Sequence, residues 1–322
     1  MPRLIMPSLL FVLGISGATT LLAQTYPDRT IRFIVPFPAG GVSDAAARVI
    51  GQNLSARWGQ QVITENRVGA GGTIGTELAA KAKPDGYTIL MGSSTELAVN
   101  PNLYTRLAYN TVRDFEPLVL VAYTPLLVVV HPSLPVKSIK ELAAFAKARP
   151  GQLSFASTGN GSTLHFAGEM FKRAAGVDML HVPHTSVHPL TSVMSGQVEL
   201  MFASMPSAIG LVTAGKLRAL AVTSSKRFGT APELPTVIEA GYPRAEIVIW
   251  NAAMAPAGTP REVLAKLGSE ILDILKLPAV KQAFDKLGME LIPGDAEQLR
   301  TYLKSELAKF ANIVKETGIR ID

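Results

Sequence analysis

Residues 31–58 read IRFIVPFPAGGVSDAAARVIGQNLSARW. An apolar run ends in a turn that carries Gly40 and Gly41. After it, Ala46, Val49, Ile50 and Leu54 recur at helical spacing on one face. The stretch reads as strand, tight turn, helix. A near-continuous apolar strand feeding a helix is the unit of a parallel sheet covered on both faces. The turn also has a chemical meaning. The first N–H groups of a helix lack internal partners and carry partial positive charge. Glycines let an incoming oxygen approach them closely, so such a turn is a place for an anion.

Working outward, the rhythm continues. QVITENR (61–67) reads as a short strand. GGTIGTELAAKAKPDG (71–86) reads as a helix stopped by Pro84, Asp85 and Gly86, and YTILMGSS (87–94) as a third strand. RDFEPLVLVAYTPLLVVVHPSLPV (113–136) is then a long extended run without a helix. SIKELAAFAKARPG (138–151) is a helix with Ser138 as N-cap and Glu141 three residues later. Strands and helices alternate again to about residue 225, and AEIVIWNAAMAPAGTP (245–260) is a second extended run. Four helical stretches follow, at about 260–275, 278–287, 295–303 and 304–317.

Two extended connections, near 118–130 and 246–255, bracket an α/β unit. The expected architecture is α/β and two-lobed, hinged at these crossovers. Residues 24–124 and 251–322 form a discontinuous first lobe, and 125–250 an inserted second lobe. Ligands of such sheets collect outside the carboxyl ends of the strands, here in a cleft between the lobes.

Bulk properties narrow the function. The chain has 322 residues, 48% of them hydrophobic and 17% charged, enough for two cores. Its net charge of +6 is dispersed, with no cluster of four basic residues, which argues against nucleic acid. The absence of cysteine excludes thiol catalysis and cysteine-held metals. Residues 1–23 combine Arg3, an apolar stretch from Leu9 to Leu22, and Ala23 before Gln24, the layout of a secretory signal peptide. The apolar stretch is short for a span of ~20 residues; an uncleaved anchor is the alternative. Cleavage would leave 322 − 23 = 299 residues with charge +5, in an exported protein. Nothing in the chain requires more than a monomer, and no cofactor is implied.

A second turn matches the first. Ser157-Thr158-Gly159-Asn160-Gly161-Ser162-Thr163-Leu164-His165 also follows an apolar strand and opens a helix. With one turn on each lobe, a closed cleft would clamp a carboxylate between two helix ends. The plainer alternative is a pair of ordinary turns with Ser43 and Ser162 as N-caps. Asp44 is read as structural, because it would repel an anion if it pointed inward. Neither turn ends in the Lys-Ser/Thr of a phosphate loop, and in GAGGTIG (69–75) Ile74 stands where a dinucleotide fingerprint needs glycine. There is no Gly-x-Ser-x-Gly elbow and no His-Glu-x-x-His, so no catalytic residue is assigned. Ser162 and His165 invite a secreted hydrolase or isomerase as the competing reading. His181, His184 and His188 are close in sequence, but no acidic residue lies between them and no metal site is assigned. Further candidates sit at strand ends: Ser93-Ser94-Thr95, of which Ser94 is taken, then His184, and Ala203-Ser204. Trp250 is either hinge packing or an aromatic wall.

The motifs VPFPAGGVSDAAARVIGQNL, ENRVGAGGTIGTELAAKAKPDGYTILMGSS, DFEPLVLVA, STGNGSTLHFAGEMFKRAAGVDMLHVPH, GKLRALAVTSSKR, LPTVIEAG and APAGTP occur in unbroken order over about residues 25–322. Together they resemble the Bug family, TctC-like extracytoplasmic solute-binding proteins of tripartite tricarboxylate transporters. The resemblance implies a type II-like periplasmic binding protein with two α/β lobes, a deep cleft, small carboxylic acids as ligands and transporter membrane subunits as partners. A receptor feeding a sensor kinase is not distinguished from it. In the family the two turns hold one carboxylate. That carries over to Phe37, Ala39 and Gly40 in the first turn, and to Thr158, Gly159, Asn160, Ser162 and His165 in the second. The chain departs from the family at His184-Thr185-Ser186, where Tyr-Lys-Gly is usual, and at Ala203, where Asp is frequent in amine-binding members. A far end of the ligand that is neutral, aromatic or a second carboxylate is therefore expected, with His184 as a compensating contact. If His165 faces the anion, affinity should rise as pH falls from about 8 to 6.

Overall fold

The computed structural model describes residues 26–184 and 189–319. The expected signal peptide, Thr185, Ser186 and His188 lie outside these residues. In chain order the elements are β1 (Ile31–Val35), α1 (Val42–Trp58), β2 (Val62–Asn66), α2 (Thr73–Ala80), β3 (Thr88–Ser93), a π-helical turn (Thr95–Val99) and α3 (Asn100–Leu103). Next come β4 (Phe115–Val130), α4 (Ile139–Lys147), β5 (Ser154–Ser157), α5 (Thr163–Ala175), β6 (Leu180–Pro183), α6 (Pro189–Met194), β7 (Leu200–Ser204), α7 (Met205–Thr213) and β8 (Arg218–Val222). The chain closes with β9 (Val248–Pro256), α8 (Arg261–Leu275), α9 (Pro278–Lys286), β10 (Glu290–Gly294) and α10 (Ala296–Thr317).

The strands follow one path, β2-β1-β3-β9-β4-β7-β5-β6, with β8 and β10 also on β4. The first strands are parallel, β1 with β2 and with β3. Successive β1 side chains point to opposite faces. Ile31, Phe33 and Val35 are buried in one cluster with Ala46, Ile50 and Leu54 of α1 and Leu267 and Ile271 of α8. Ile34 belongs to the cluster on the other face. Burial on both sides is why this strand is apolar without a break.

The expected crossovers are β4 and β9, and they pair antiparallel from Phe115↔Pro256 to Pro125↔Val248. Beyond Pro125, β4 continues as Leu126–Val130 and pairs β7 and β8 instead. Proline lacks a ladder N–H and suits the residue where a strand changes partners. One strand thus serves both halves, and the fold is the two-lobed α/β binding-protein architecture expected. Trp250 on β9 is fully buried, packs edge-on against Tyr302 and donates from Nε1 to Glu306 Oε2 at 2.8 Å. It packs against α10 and does not line the cleft.

The C-terminal reading is corrected in two places. The expected helices 295–303 and 304–317 are one, α10. No Gly or Pro interrupts it, and Asp295 caps its start in a box with Gln298. Strand β10, antiparallel to β4, was not expected, because its five residues include Pro293. Among the described residues no helix is long and apolar enough to cross a membrane.

Candidate functional site

A cavity of about 260 Å³ lies where the two glycine turns meet. Its walls come from five places. The first turn gives Phe37, Ala39, Gly40, Val42 and Ser43, and the end of β3 gives Ser93 and Thr95. The second turn gives Thr158, Ser162, Thr163 and Leu164, β7 and the start of α7 give Met201, Ser204, Pro206 and Ser207, and β9 gives Ile249. None of the lining residues is Asp, Glu, Lys, Arg or His. A larger open groove of about 650 Å³ runs along β10 and the start of α10. There Asp295 already holds the N–H groups of Glu297 and Gln298.

The amides explain what the cavity offers. Gly41 is the N-cap of α1 and makes no side-chain cap; Ser43 lies inside the helix, so the alternative that makes it the N-cap does not hold. Among the described residues, the N–H groups of Val42, Ser43 and Asp44 meet no acceptor, and Ala45 N–H bonds to Gly41 O. In the second turn Ser162 is the N-cap and its Oγ accepts from His165 N–H at 3.2 Å. The N–H groups of Thr163 and Leu164 meet no acceptor among the described residues. Two helix starts thus present spare donors to one space.

The other turn amides are held by the protein itself. Asp44 Oδ2 accepts from Gly40 N–H at 2.9 Å, while Arg48 Nε and Asn66 Nδ2 donate to the same carboxylate, each at 2.9 Å. Burial opposes ionisation of Asp44, but the bonds from Arg48, Gly40 and Asn66 outweigh it and hold the carboxyl below its usual range. His165 Nδ1 accepts from Gly161 N–H at 3.1 Å, so its other nitrogen carries the proton. Its ring stacks on His181 with centroids 3.7 Å apart. Burial, then the Lys172 cation, pushes His165 down to about 4. Burial, then the His165 ring, does the same to His181, to about 4. Gly40 at φ 80° and Gly161 at φ 75° adopt the left-handed backbone that these bonds require.

The residues expected from the sequence separate into two groups. Phe37, Ala39, Gly40, Thr158, Ser162 and Ser204 line the cavity. Ser94, Gly159, Asn160, His165, His184 and Ala203 are not among its lining residues. Ser94 is fully buried, with Oγ 3.4 Å from Thr163 Oγ1. Gly159 bonds within its turn, to Ser157 Oγ and Ser162. His184 Nδ1 donates to Val182 O, and Nε2 accepts from Ser192 Oγ at 2.6 Å. Ala203 is fully buried on β7, so the missing Asp is not a missing cavity wall. The imidazole of His165 is committed to Gly161, and burial holds its protonation down at about 4 in the ligand-free chain. Ser162 Oγ donates to Gly159 O and meets only the main chain of His165, so no nucleophile–base bond joins the pair.

The sequence reading missed Ser43, Thr163 and Ser207 as lining residues. All three lie in the first turn of a helix, which is the signal that could find them. Glu96 was missed too. It is fully buried behind the cavity, takes Ser93 N–H and Ser93 Oγ, and burial pushes it up to about 8. The lobes meet at this point: Thr95 Oγ1 and Thr163 Oγ1 are 2.8 Å apart.

Residues 46–319 match the family model described as tripartite tricarboxylate transporter family receptor. Protein BugT of Bordetella pertussis is 38% identical over 98% of this chain and 99% of its own. A solved structure of R. palustris Rpa4515 with adipate is 34% identical, with TM-score 0.87 over 92% of this chain and 99% of that one. MatC (Rpa3494) from Rhodopseudomonas palustris with bound malate is 30% identical, with TM-score 0.81 over 90% of this chain and 100% of that one. With most of its length matched by the family model and by these relatives, the chain belongs to the tripartite tricarboxylate transporter family of receptors.

Proposed function

We propose that this receptor captures a small carboxylic acid between its lobes, in the periplasm, for uptake by the membrane subunits of a tripartite transporter. One observation carries the reading: spare amides of α1 and α5, one helix on each side, open into a single small cavity. Oriented N–H groups in a dry site favour a negative guest without any lysine or arginine. The adipate and malate bound by the related structures have the matching chemistry. Met201, Pro206 and Ile249, with the hydroxyls of Ser204 and Ser207, form walls without an acidic group. Such walls suit a neutral far end or a second carboxylate better than an ammonium.

Phe37, Ala39, Gly40, Thr158 and Ser162 are the contacts we assign to the first carboxylate. The change of partner at Pro125, opposite Val248, supports a division into 24–124 with 251–322 and 125–250. Residues 1–23 serve as the export signal in this reading. The receptor acts without catalysis in this reading.

The test is thermal melting of the purified protein against mono-, di- and tricarboxylates. At a ligand concentration 100 times Kd the folded state gains ~2.7 kcal/mol, a shift of a few degrees. At least one acid is expected to give it. No shift with any acid, before and after unfolding and refolding to release a carried ligand, overturns the reading.

A further inference from the structure

A hydroxyl has one proton to give, and most serines lining the cavity have already given it. Ser93 Oγ shares a 2.6 Å bond with Oε2 of the buried Glu96 carboxyl, and Ser162 Oγ donates to Gly159 O at 2.9 Å. Ser207 Oγ donates to Ser204 O at 2.8 Å, which leaves Ser204 Oγ as the donor in the 2.7 Å bond between the two hydroxyls. Ser43 is different. It is 4% exposed, it lines the cavity, and the bond its Oγ makes is one it accepts, from Asn251 Nδ2 at 2.8 Å. Among the described residues its proton has no acceptor.

Asn251 is fully buried on β9, between β3 and β4. The direction of its amide is fixed by a second neighbour. Nδ2 lies 3.4 Å from Gly92 O, so turning the amide would set Oδ1 against that carbonyl. As it stands, Oδ1 is buried with no hydrogen-bond partner among the described residues. A buried unpaired acceptor is a cost that a purely structural side chain would be expected to avoid.

We infer that Asn251 is a positioning residue: by donating to Ser43 Oγ it forces the Ser43 hydroxyl to act as a donor into the cavity, where it binds the ligand's carboxylate beside the amides of Val42 and Ser43. The inference rests on the carboxylate reading above. It adds a side-chain donor to an array otherwise built of backbone, and it makes the hinge strand set the polarity of the site.

The experiment titrates adipate, malate and citrate into the wild type by calorimetry, then takes the tightest of them to Ser43→Ala and Asn251→Asp. Ser43→Ala, on a helix, should lower affinity roughly 10- to 100-fold, the loss of one bond to a charged acceptor. Asn251→Asp turns the donor into an acceptor that consumes the Ser43 proton. It should lower affinity at least as much at pH 8. Affinity should then recover toward pH 6, as the new carboxyl takes up a proton and can donate again. Asp44 and Glu96 are common to wild type and variant, so the wild-type pH profile is the baseline. A residue that merely packs would change melting without changing that profile. Binding by Ser43→Ala within two-fold of wild type, or a wild-type pH profile in Asn251→Asp, overturns the inference. Failure of the wild type to bind any of the acids instead removes the carboxylate reading itself.

Discussion

The two glycine turns occupy matching places and leave the same kind of donors free: Val42 and Ser43 on one side, Thr163 and Leu164 on the other. They differ in how the remaining amides are held. In the first turn a carboxylate, Asp44, takes Gly40 N–H, is neutralised by Arg48 and accepts a further bond from Asn66. In the second an uncharged imidazole, His165, takes Gly161 N–H and is backed by His181. The affinity for an anion therefore belongs to the amides and hydroxyls that the turns share. The supports behind them can be charged or uncharged, provided that a negative one carries its own cation.

The supports should fail at different pH values, and this is the largest effect expected. His165 and His181 titrate near 4 in the folded chain against 6.5 normally. On acidification the unfolded chain takes up protons first, so this stability is full above about 6.5 and is lost as pH falls toward 4. The coupled pair accounts for a loss on the order of 2–3 kcal/mol over that window. Asp44 is held below its ordinary 3.8, so its contribution is full above that value and is lost only below it. Urea unfolding from pH 7 to 4 should show the decline in wild type. A double variant, His165→Phe with His181→Phe, should be flatter by that amount. An equal decline in both would remove the distinction between the turns.

The next effect is smaller. Asp44→Ala strips acceptors from Gly40 N–H, Arg48 and Asn66 together, yet Arg48 is 48% exposed and rehydrates. The expected loss at pH 7 is about 2 kcal/mol by urea unfolding. His165→Leu at the same pH should lose about 1 kcal/mol, one neutral hydrogen bond. If the order is reversed, the charged support is the weaker one and the comparison must be recast.

Much of this was legible in the sequence because apolar periodicity and turn glycines are local signals. IRFIV followed by glycines and the Ala46–Leu54 face gave β1 and α1, and the two long apolar runs gave the hinge strands. Local signals also misled. Pro293 hid β10, and the capping alternative for Ser43, usual for serine near a helix start, does not hold. What the chain could not show is which donors are already spent. Asp44 and Gly40 are near neighbours, but Asn251 meets Ser43 across 208 residues. His184 is a neighbour of the turn strands in sequence, yet it turns to Ser192. Occupancy of donors is a tertiary fact, so a list of site residues from motif alone mixes walls with supports.

The smallest effect concerns the contact between the turns' own lobes. Thr163 Oγ1 meets Thr95 Oγ1 at 2.8 Å, and Thr163 is fully buried. Thr163→Val keeps the shape and removes this bond, at about 1 kcal/mol. If this bond forms on lobe closure, its loss falls on binding and not on the folding of each lobe. Affinity for a carboxylate should therefore fall roughly five-fold, with little change in urea stability of the ligand-free protein. Thr76→Val is the matched control. Its hydroxyl is equally buried but bonds Gly72 O at 2.8 Å at the start of α2, on one side of the cleft. It should lower stability by a similar amount and leave affinity alone. If both variants weaken binding equally, the Thr95–Thr163 bond is ordinary packing and the two turns are joined by the ligand rather than by each other.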